Sequence, residues 1–303
     1  MATQRRAAAP MFNQLGLIGC GLMGGSFALA LKQAGLVGRV VGYSKSPSTV
    51  EKARRLGVID VAAESALLAV SGSDIVLVAV PVAATEATFK AIRHLVEPGM
   101  LLMDVGSTKA DVAAAAKRVL RERAACFVPA HPIAGKEHAG VEHADAQLYA
   151  GRQVILTPAP QTDPDLVQKA TDVWAAIGCQ VLKMRPENHD AAYAAVSHLP
   201  HLLAFAFFQA IAGQPAGKDF LQLAGPGFRD FTRIAASDPA VWRDILMANR
   251  EEVLRQSALF RAVLDDFESC MREGKPDALE ERIRQASQAR AHWHLGGRGR
   301  REG

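Results

Sequence analysis

The chain has 303 residues, enough for about two domains, and its 49% hydrophobic content suffices for a sizeable core. Its formal net charge of +4 sits at the two ends, since Arg5 and Arg6 have no acid within residues 1–10 and Arg298, Arg300 and Arg301 face only Glu302 within residues 293–303; the body between is neutral and carries no nucleic-acid footprint. Cys20, Cys126, Cys179 and Cys270 are widely spaced with no C-x-x-C, which excludes a zinc ribbon and a disulfide scaffold and suits a reducing compartment.

In chain order, Met1 to Pro10 reads as a flexible arm and residues 12–18 as a strand. Gly19, Gly21 and Gly24 follow in G-x-G-x-x-G order, and helical character continues to about Ala34. A strand that turns into a helix through residues with almost no side chain suits a dinucleotide. Gly19 makes the tight turn, Gly21 lets a pyrophosphate approach the main chain, and Gly24 lets the helix sit close to the strand. Cys20, Leu22 and Met23 complete this cofactor-binding stretch. The first-turn N–H groups and the helix dipole then face the phosphates.

Residues 39–44 read as a second strand, and Ser46-Pro47 as the cap and first residue of a helix through Leu56. The position that would carry the acid for a ribose 2′-hydroxyl falls at Ser44, with Lys45 beside it. A hydroxyl and a cation suit a 2′-phosphate, so NADP is expected in preference to NAD. Residues 74–80 read as a strand, Asp74 leading an unbroken apolar run from Ile75 to Val80 as a parallel strand buried on both faces requires; Val80-Pro81 ends it beside the expected cofactor. The longest purely apolar run, Ile75 to Ala84, is too short to span a bilayer, and the N-terminus lacks the apolar core of a signal peptide. The expected location is therefore the cytoplasm.

Further strands are predicted over 101–105, 126–130, 154–157 and 180–184, with helices over 109–122 and 163–176. Alternation of strand and helix to residue 185 predicts an α/β, Rossmann-type doubly wound parallel sheet in a dinucleotide-binding domain over 11–185. Residues 186–292 read as all-helical, with a break at Pro200, long helices over 239–272 and 276–291, and a disordered tail over 293–303. Leu202, Leu203, Phe205, Phe207, Phe208 and Ile211 are more apolar residues than one thin layer hides, which predicts a homodimer through this half.

Three stretches carry the expected chemistry. Ser107 follows the strand over 101–105, where it can face a nicotinamide or cap the next helix. His131, between an apolar strand and Pro132, is placed at the ligand-binding edge of the sheet, and an imidazole there can accept a proton at neutral pH. Arg229 and Arg233, four apart on one expected helix, can grip a carboxylate or pair with Asp230 and Asp238. His198 and His201 lack a third metal ligand nearby, so substrate contact by one of them is expected rather than a metal.

Together, GLIGCGLMGGS at 16–26, DVGSTK at 104–109, HPIAGKE at 131–137, SHLPH at 197–201 and DFTRIAASDPAVWRDI at 230–245 resemble the prephenate and arogenate dehydrogenases of tyrosine biosynthesis, the TyrA family. The resemblance implies oxidative decarboxylation of prephenate to 4-hydroxyphenylpyruvate, in dimers joined by the helical domain. It implies that His131 is the catalytic histidine bonded to the ring hydroxyl and that Ser107 orients both. It further implies that Arg233 grips a substrate carboxylate and that His201 or His198 contacts substrate. It places Lys136 and Glu137 among the substrate-binding residues; Lys136 departs from the small polar residue other members carry and Pro226 interrupts a glycine run, both near where side-chain specificity is set. A β-hydroxyacid dehydrogenase needs a lysine on the first helix of the helical half, and 187–212 contains none. A nucleotide-sensing regulator would not need His131, Ser107 and Arg233 together.

Overall fold

The computed structural model describes residues 9–136 and 138–293; the predicted arm up to residue 8, Glu137, and the predicted tail beyond residue 293 lie outside them. The elements of the first half are β1 (Phe12–Ile18), α1 (Leu22–Gln33), β2 (Val37–Tyr43), α2 (Pro47–Arg55), β3 (Val61–Ala62), α3 (Ala66–Val70), β4 (Ile75–Val78), α4 (Val82–Ile92), β5 (Leu101–Asp104), α5 (Ala110–Leu120) and β6 (Phe127–Val128). The six strands form one parallel sheet in the order β3-β2-β1-β4-β5-β6. Every residue of β4 and β5 is buried, as strands covered on both faces must be. The order in which strands are added reverses between β1 and β4, which opens a crevice beyond their carboxyl ends. The Ser46 side chain accepts from the Thr49 N–H and Pro47 begins α2, as their spacing predicts.

The expected single strand over 126–130 divides instead. Pro129 has no N–H for a ladder, and the Ala130 N–H is taken by the Asp104 carboxylate at 3.1 Å. The chain therefore leaves the first sheet after β6 and enters a second one. There β7 (Ala130–Pro132) lies antiparallel to β8 (Gln153–Leu156), which is parallel to β9 (Gln180–Lys183). Between the last two strands, α6 (Pro164–Ala176) buries Trp174 against Phe27 of α1 at 4.9 Å and against Tyr149 at 5.3 Å.

Helices follow: α7 (Pro186–Tyr193), a π-turn (Ala194–His198), α8 (Leu199–Ala212), α9 (Gly217–Gln222), α10 (Pro226–Thr232), α11 (Pro239–Ala248), α12 (Arg250–Arg272) and α13 (Pro276–His292). Pro200 does not interrupt this run. It sits in the first turn of α8, directly after the π-turn, where its missing N–H costs least. The expected helix over 239–272 is two helices that meet at Asn249, and Arg229 and Arg233 are divided between α10 and a 3-10 turn over 233–236. The helical run 186–212 is long and apolar enough, by length and composition, to cross a membrane. The chain separates into two compact units, one up to Glu252 and one from Val253. Within the second, Arg282 pairs with Asp266 at 3.2 Å, and Leu254, Leu259, Phe260, Val263 and Leu264 are exposed.

Candidate active site

The glycine turn is built as its spacing implies. Gly19 has φ +99°, and a Cβ there would lie 2.2 Å from the Ala79 carbonyl oxygen. A Cβ on Gly24 would lie 2.2 Å from the Gly19 oxygen and 2.9 Å from both Ala79 Cβ and Leu17 Cδ1, so only glycine lets α1 sit this close to β1 and β4. Gly21 caps α1 and has open space where a Cβ would point, and the first turn of the helix carries no acidic side chain. This cradle fits a dinucleotide pyrophosphate. Cys20 is buried with its thiol pushed up to about 12 by desolvation, so it packs rather than reacts. Ser44 is half-buried and Lys45 exposed just past the end of β2.

A cleft of about 430 Å³ opens beyond the carboxyl ends of β1, β4 and β5. Its floor holds Gly21, Leu22, Met23, Val80, Pro81 and Ser107, all predicted positions. Lys136 and His138 form one wall, and Val241, Trp242 and Ile245 of α11 form another. Gly19, Cys20, Gly24, Ser44, Lys45, His131, His198, His201 and Arg233 do not line it directly. A larger cavity of about 640 Å³, lined by Arg93, Leu120 and Arg123 among others, borders the amino ends of β5 and β6 and holds none of the predicted groups.

His131, on β7, is half-buried and is the first member of a hydrogen-bonded series. Its Nδ1 lies 2.8 Å from His189 Nε2, and His189 Nδ1 lies 2.7 Å from Asp190 Oδ1. A carboxylate only accepts, so His189 carries its proton on Nδ1. Its Nε2 must then accept from His131 Nδ1–H, which leaves His131 Nε2 unprotonated and able to take a proton. Asp190 also receives the backbone N–H groups of Lys109 at 2.8 Å and Ala110 at 2.9 Å. It thereby caps α5, whose own cap residue Lys109 makes no side-chain cap bond; Ser107 is not that cap. Burial, reinforced by His189, Lys109 and His198, holds His131 well below the usual imidazole value. It is neutral at physiological pH. Tyr193 packs on both His131 and His189, at 4.8 and 4.6 Å between ring centres.

The two histidines of the SHLPH stretch separate in role. His198 is 1% exposed, accepts on Nδ1 from Asn249 Nδ2 at 3.1 Å, and is pushed by burial to about 4. His201 is half-buried, stacks on Trp242 at 3.4 Å, and donates from Nδ1 to the Ser197 carbonyl. Burial holds it below its ordinary value, and Arg233 is near enough to add to that shift. Arg229 is spent on Asp230 at 3.2 Å, and Asp238 caps α11. Lys136 donates to Asp145 Oδ2 at 3.1 Å and to the His143 carbonyl. His189, Asp190, Tyr193, Trp242 and Asn249 were not singled out from the sequence. The adjacent His-Asp pair at the start of the helical half was the available signal, but its partner lies 81 positions away.

The sheet order, the glycine cradle and the cleft at the crevice define a Rossmann-type dinucleotide-binding protein with an appended helical region. A family model described as the prephenate dehydrogenase nucleotide-binding domain matches residues 27–183, and one described as the prephenate dehydrogenase dimerization domain matches residues 185–285. The chain belongs to the prephenate dehydrogenase family. It is 37% identical over 243 residues to the prephenate dehydrogenase of Bacillus subtilis, covering 78% of this chain and 64% of that relative's length. It is 31% identical over 282 residues to the cyclohexadienyl dehydrogenase of Zymomonas mobilis, covering 92% and 96%. The solved structure of the Aquifex aeolicus prephenate dehydrogenase with hydroxyphenyl propionate and NAD+ is similar with a TM-score of 0.87 at 35% identity, covering 94% of this chain and 99% of that one.

Proposed function

We propose that the chain is a prephenate or cyclohexadienyl dehydrogenase that converts prephenate to 4-hydroxyphenylpyruvate and carbon dioxide with NAD(P)+ as oxidant. The observation that carries this reading is the series His131–His189–Asp190, which orients one imidazole as a neutral proton acceptor. Bound on the glycine turn, NAD(P)+ supplies the hydride acceptor. His131 Nε2 takes the proton of the ring hydroxyl, which raises electron density at the carbon that bears it; Ser107 orients that hydroxyl. Arg233 holds a substrate carboxylate, and His201, rather than the sealed His198, contacts substrate beside Trp242. Loss of the ring carboxylate makes the product aromatic and the reaction irreversible.

Lys45, with no acid at Ser44, supports NADP over NAD. Lys136, on the cleft wall and paired with Asp145 at 3.1 Å, is placed to bear on the choice between prephenate and arogenate. Exposed Phe207, Phe208, Phe231 and Leu223 support a homodimer through the helical region, and sedimentation tests it. Four free, buried cysteines suit the cytoplasm. The test is a kinetic matrix of prephenate and arogenate against NAD and NADP, read at 340 nm. Turnover of prephenate, faster with NADP, is expected; no reduction in any of the four combinations refutes the reading.

A further inference from the structure

Lys109 is buried to 0% exposure in a family whose proposed chemistry, on the reading above, does not call on it. Its Nζ donates to Asp104 Oδ2 at 2.5 Å and to the Ala130 carbonyl at 2.8 Å. Asp104 in turn receives the Ala130 N–H on Oδ1 and the Gly106 N–H on Oδ2. Both backbone polar groups of the residue before His131, and the N–H of the residue before Ser107, are thus held by one buried ion pair. The backbone N–H of Lys109 is also bound to Asp190, which orients His189 against His131.

We propose that Lys109 is the positioning residue of this site, gripping His131 at once through the Asp104–Ala130 backbone clamp and through the Asp190–His189 arm on its ring. This inference rests on His131 acting as the base. Lone burial of an ammonium is costly, and Asp104 offsets that cost. The pair therefore ties the turn after β5 to β7 more rigidly than a lone backbone hydrogen bond would.

Placement of the charge has a second consequence. The charged and titratable groups facing His131 are His189 and Tyr193 from α7, His198 from the π-turn, and Lys109; Asp104 and Asp190 stand one hydrogen bond further off. Lys109 is the fixed cation among them. Its removal raises the proton affinity of His131, so the acid limb of the kcat/KM profile moves upward in pH.

The test uses Lys109→Met and the charge-balanced double variant Asp104→Asn with Lys109→Met, which buries no unpaired charge and is read if the single variant does not fold. Both should lose at least about tenfold in kcat and bind NADH within about twofold of wild type; Lys109→Met should also shift the acid limb upward by at least about half a pH unit, whereas the double variant, which removes the carboxylate with the ammonium, should move it less. A packing role alone would lower thermal stability and leave the acid limb in place. An unmoved acid limb and unchanged kcat in the folded variant overturn the proposal. In the wild type, ¹⁵N-histidine NMR should show the His131 proton on Nδ1 from pH 6 to 8; a proton on Nε2 overturns it without any variant. His131→Asn separates the two readings. If it is inactive while the Lys109 variants behave as wild type, only this inference fails; if it is fully active, the base assignment fails with it.

Discussion

Asp190→Asn isolates the hydrogen-bonded series behind His131. The carboxylate is 4% exposed and accepts three hydrogen bonds: the Lys109 N–H at 2.8 Å, the Ala110 N–H at 2.9 Å and His189 Nδ1–H at 2.7 Å. An asparagine has one acceptor oxygen and one amide group. In either orientation its NH₂ opposes one of the two backbone donors, a buried mismatch that costs about 1–3 kcal/mol of stability. When the NH₂ faces His189, that ring must move its proton to Nε2, and His131 must then carry its own proton on Nε2, the wrong tautomer for a base. The lost negative charge matters as well. A charge-assisted bond contributes about 1.5–3 kcal/mol and a neutral one about 0.5–1.5, so stabilisation of the forming imidazolium falls by about 1–2 kcal/mol. That corresponds to a drop of about 5- to 30-fold in kcat, with the KM for prephenate little changed because the buried Asp190 carboxylate is engaged by Lys109, Ala110 and His189 rather than by substrate. Steady-state kinetics at 340 nm and urea unfolding read both numbers. A kcat within twofold of wild type in a folded variant would refute the tautomer argument.

Gly24→Ala should lower stability by about 1–3 kcal/mol and weaken NADH binding, because its Cβ meets the Gly19 oxygen at 2.2 Å and α1 must retreat. Gly21→Ala, in open space, should leave stability within about 0.5 kcal/mol while still weakening binding, and fluorescence titration with urea melts distinguishes the two. Burial of His198 lowers its folded value from 6.5 to about 4, so the unfolded chain binds the extra proton first. Its contribution is complete above pH 6.5 and is lost as pH falls toward 4, up to about 3 kcal/mol; His198→Gln should flatten urea-measured stability over that window.

Much of the fold was legible because its signals are local. The glycine spacing at 19, 21 and 24, the Ser46-Pro47 cap and the apolar run at 75–78 each act within a few residues. The division of 126–130 between two sheets was not legible. It depends on Asp104 capturing the Ala130 N–H, 26 positions away in sequence. The helices α3 and α4 carry little local signal, one being only five residues long and the other following Pro81 without a side-chain cap. At the site, His131, Ser107 and Trp242's neighbours in the DFTRIAASDPAVWRDI stretch came from motifs. Asp190 is not legible in the sequence because it caps a helix from another part of the chain, a job no spacing rule marks. The separation of His198 from His201 likewise turns on Asn249 and Trp242, which reach them from α11 and the residue after it.

The central claim is that His131 removes the hydroxyl proton as hydride departs. The direct measurement is kcat of His131→Asn with prephenate and saturating cofactor, with NADH affinity measured on the same preparation. A loss of at least about 10²-fold in kcat at nearly unchanged KM and NADH affinity is predicted, since general-base help is worth about 10²–10⁴-fold. A kcat equal to that of the wild type would contradict the account.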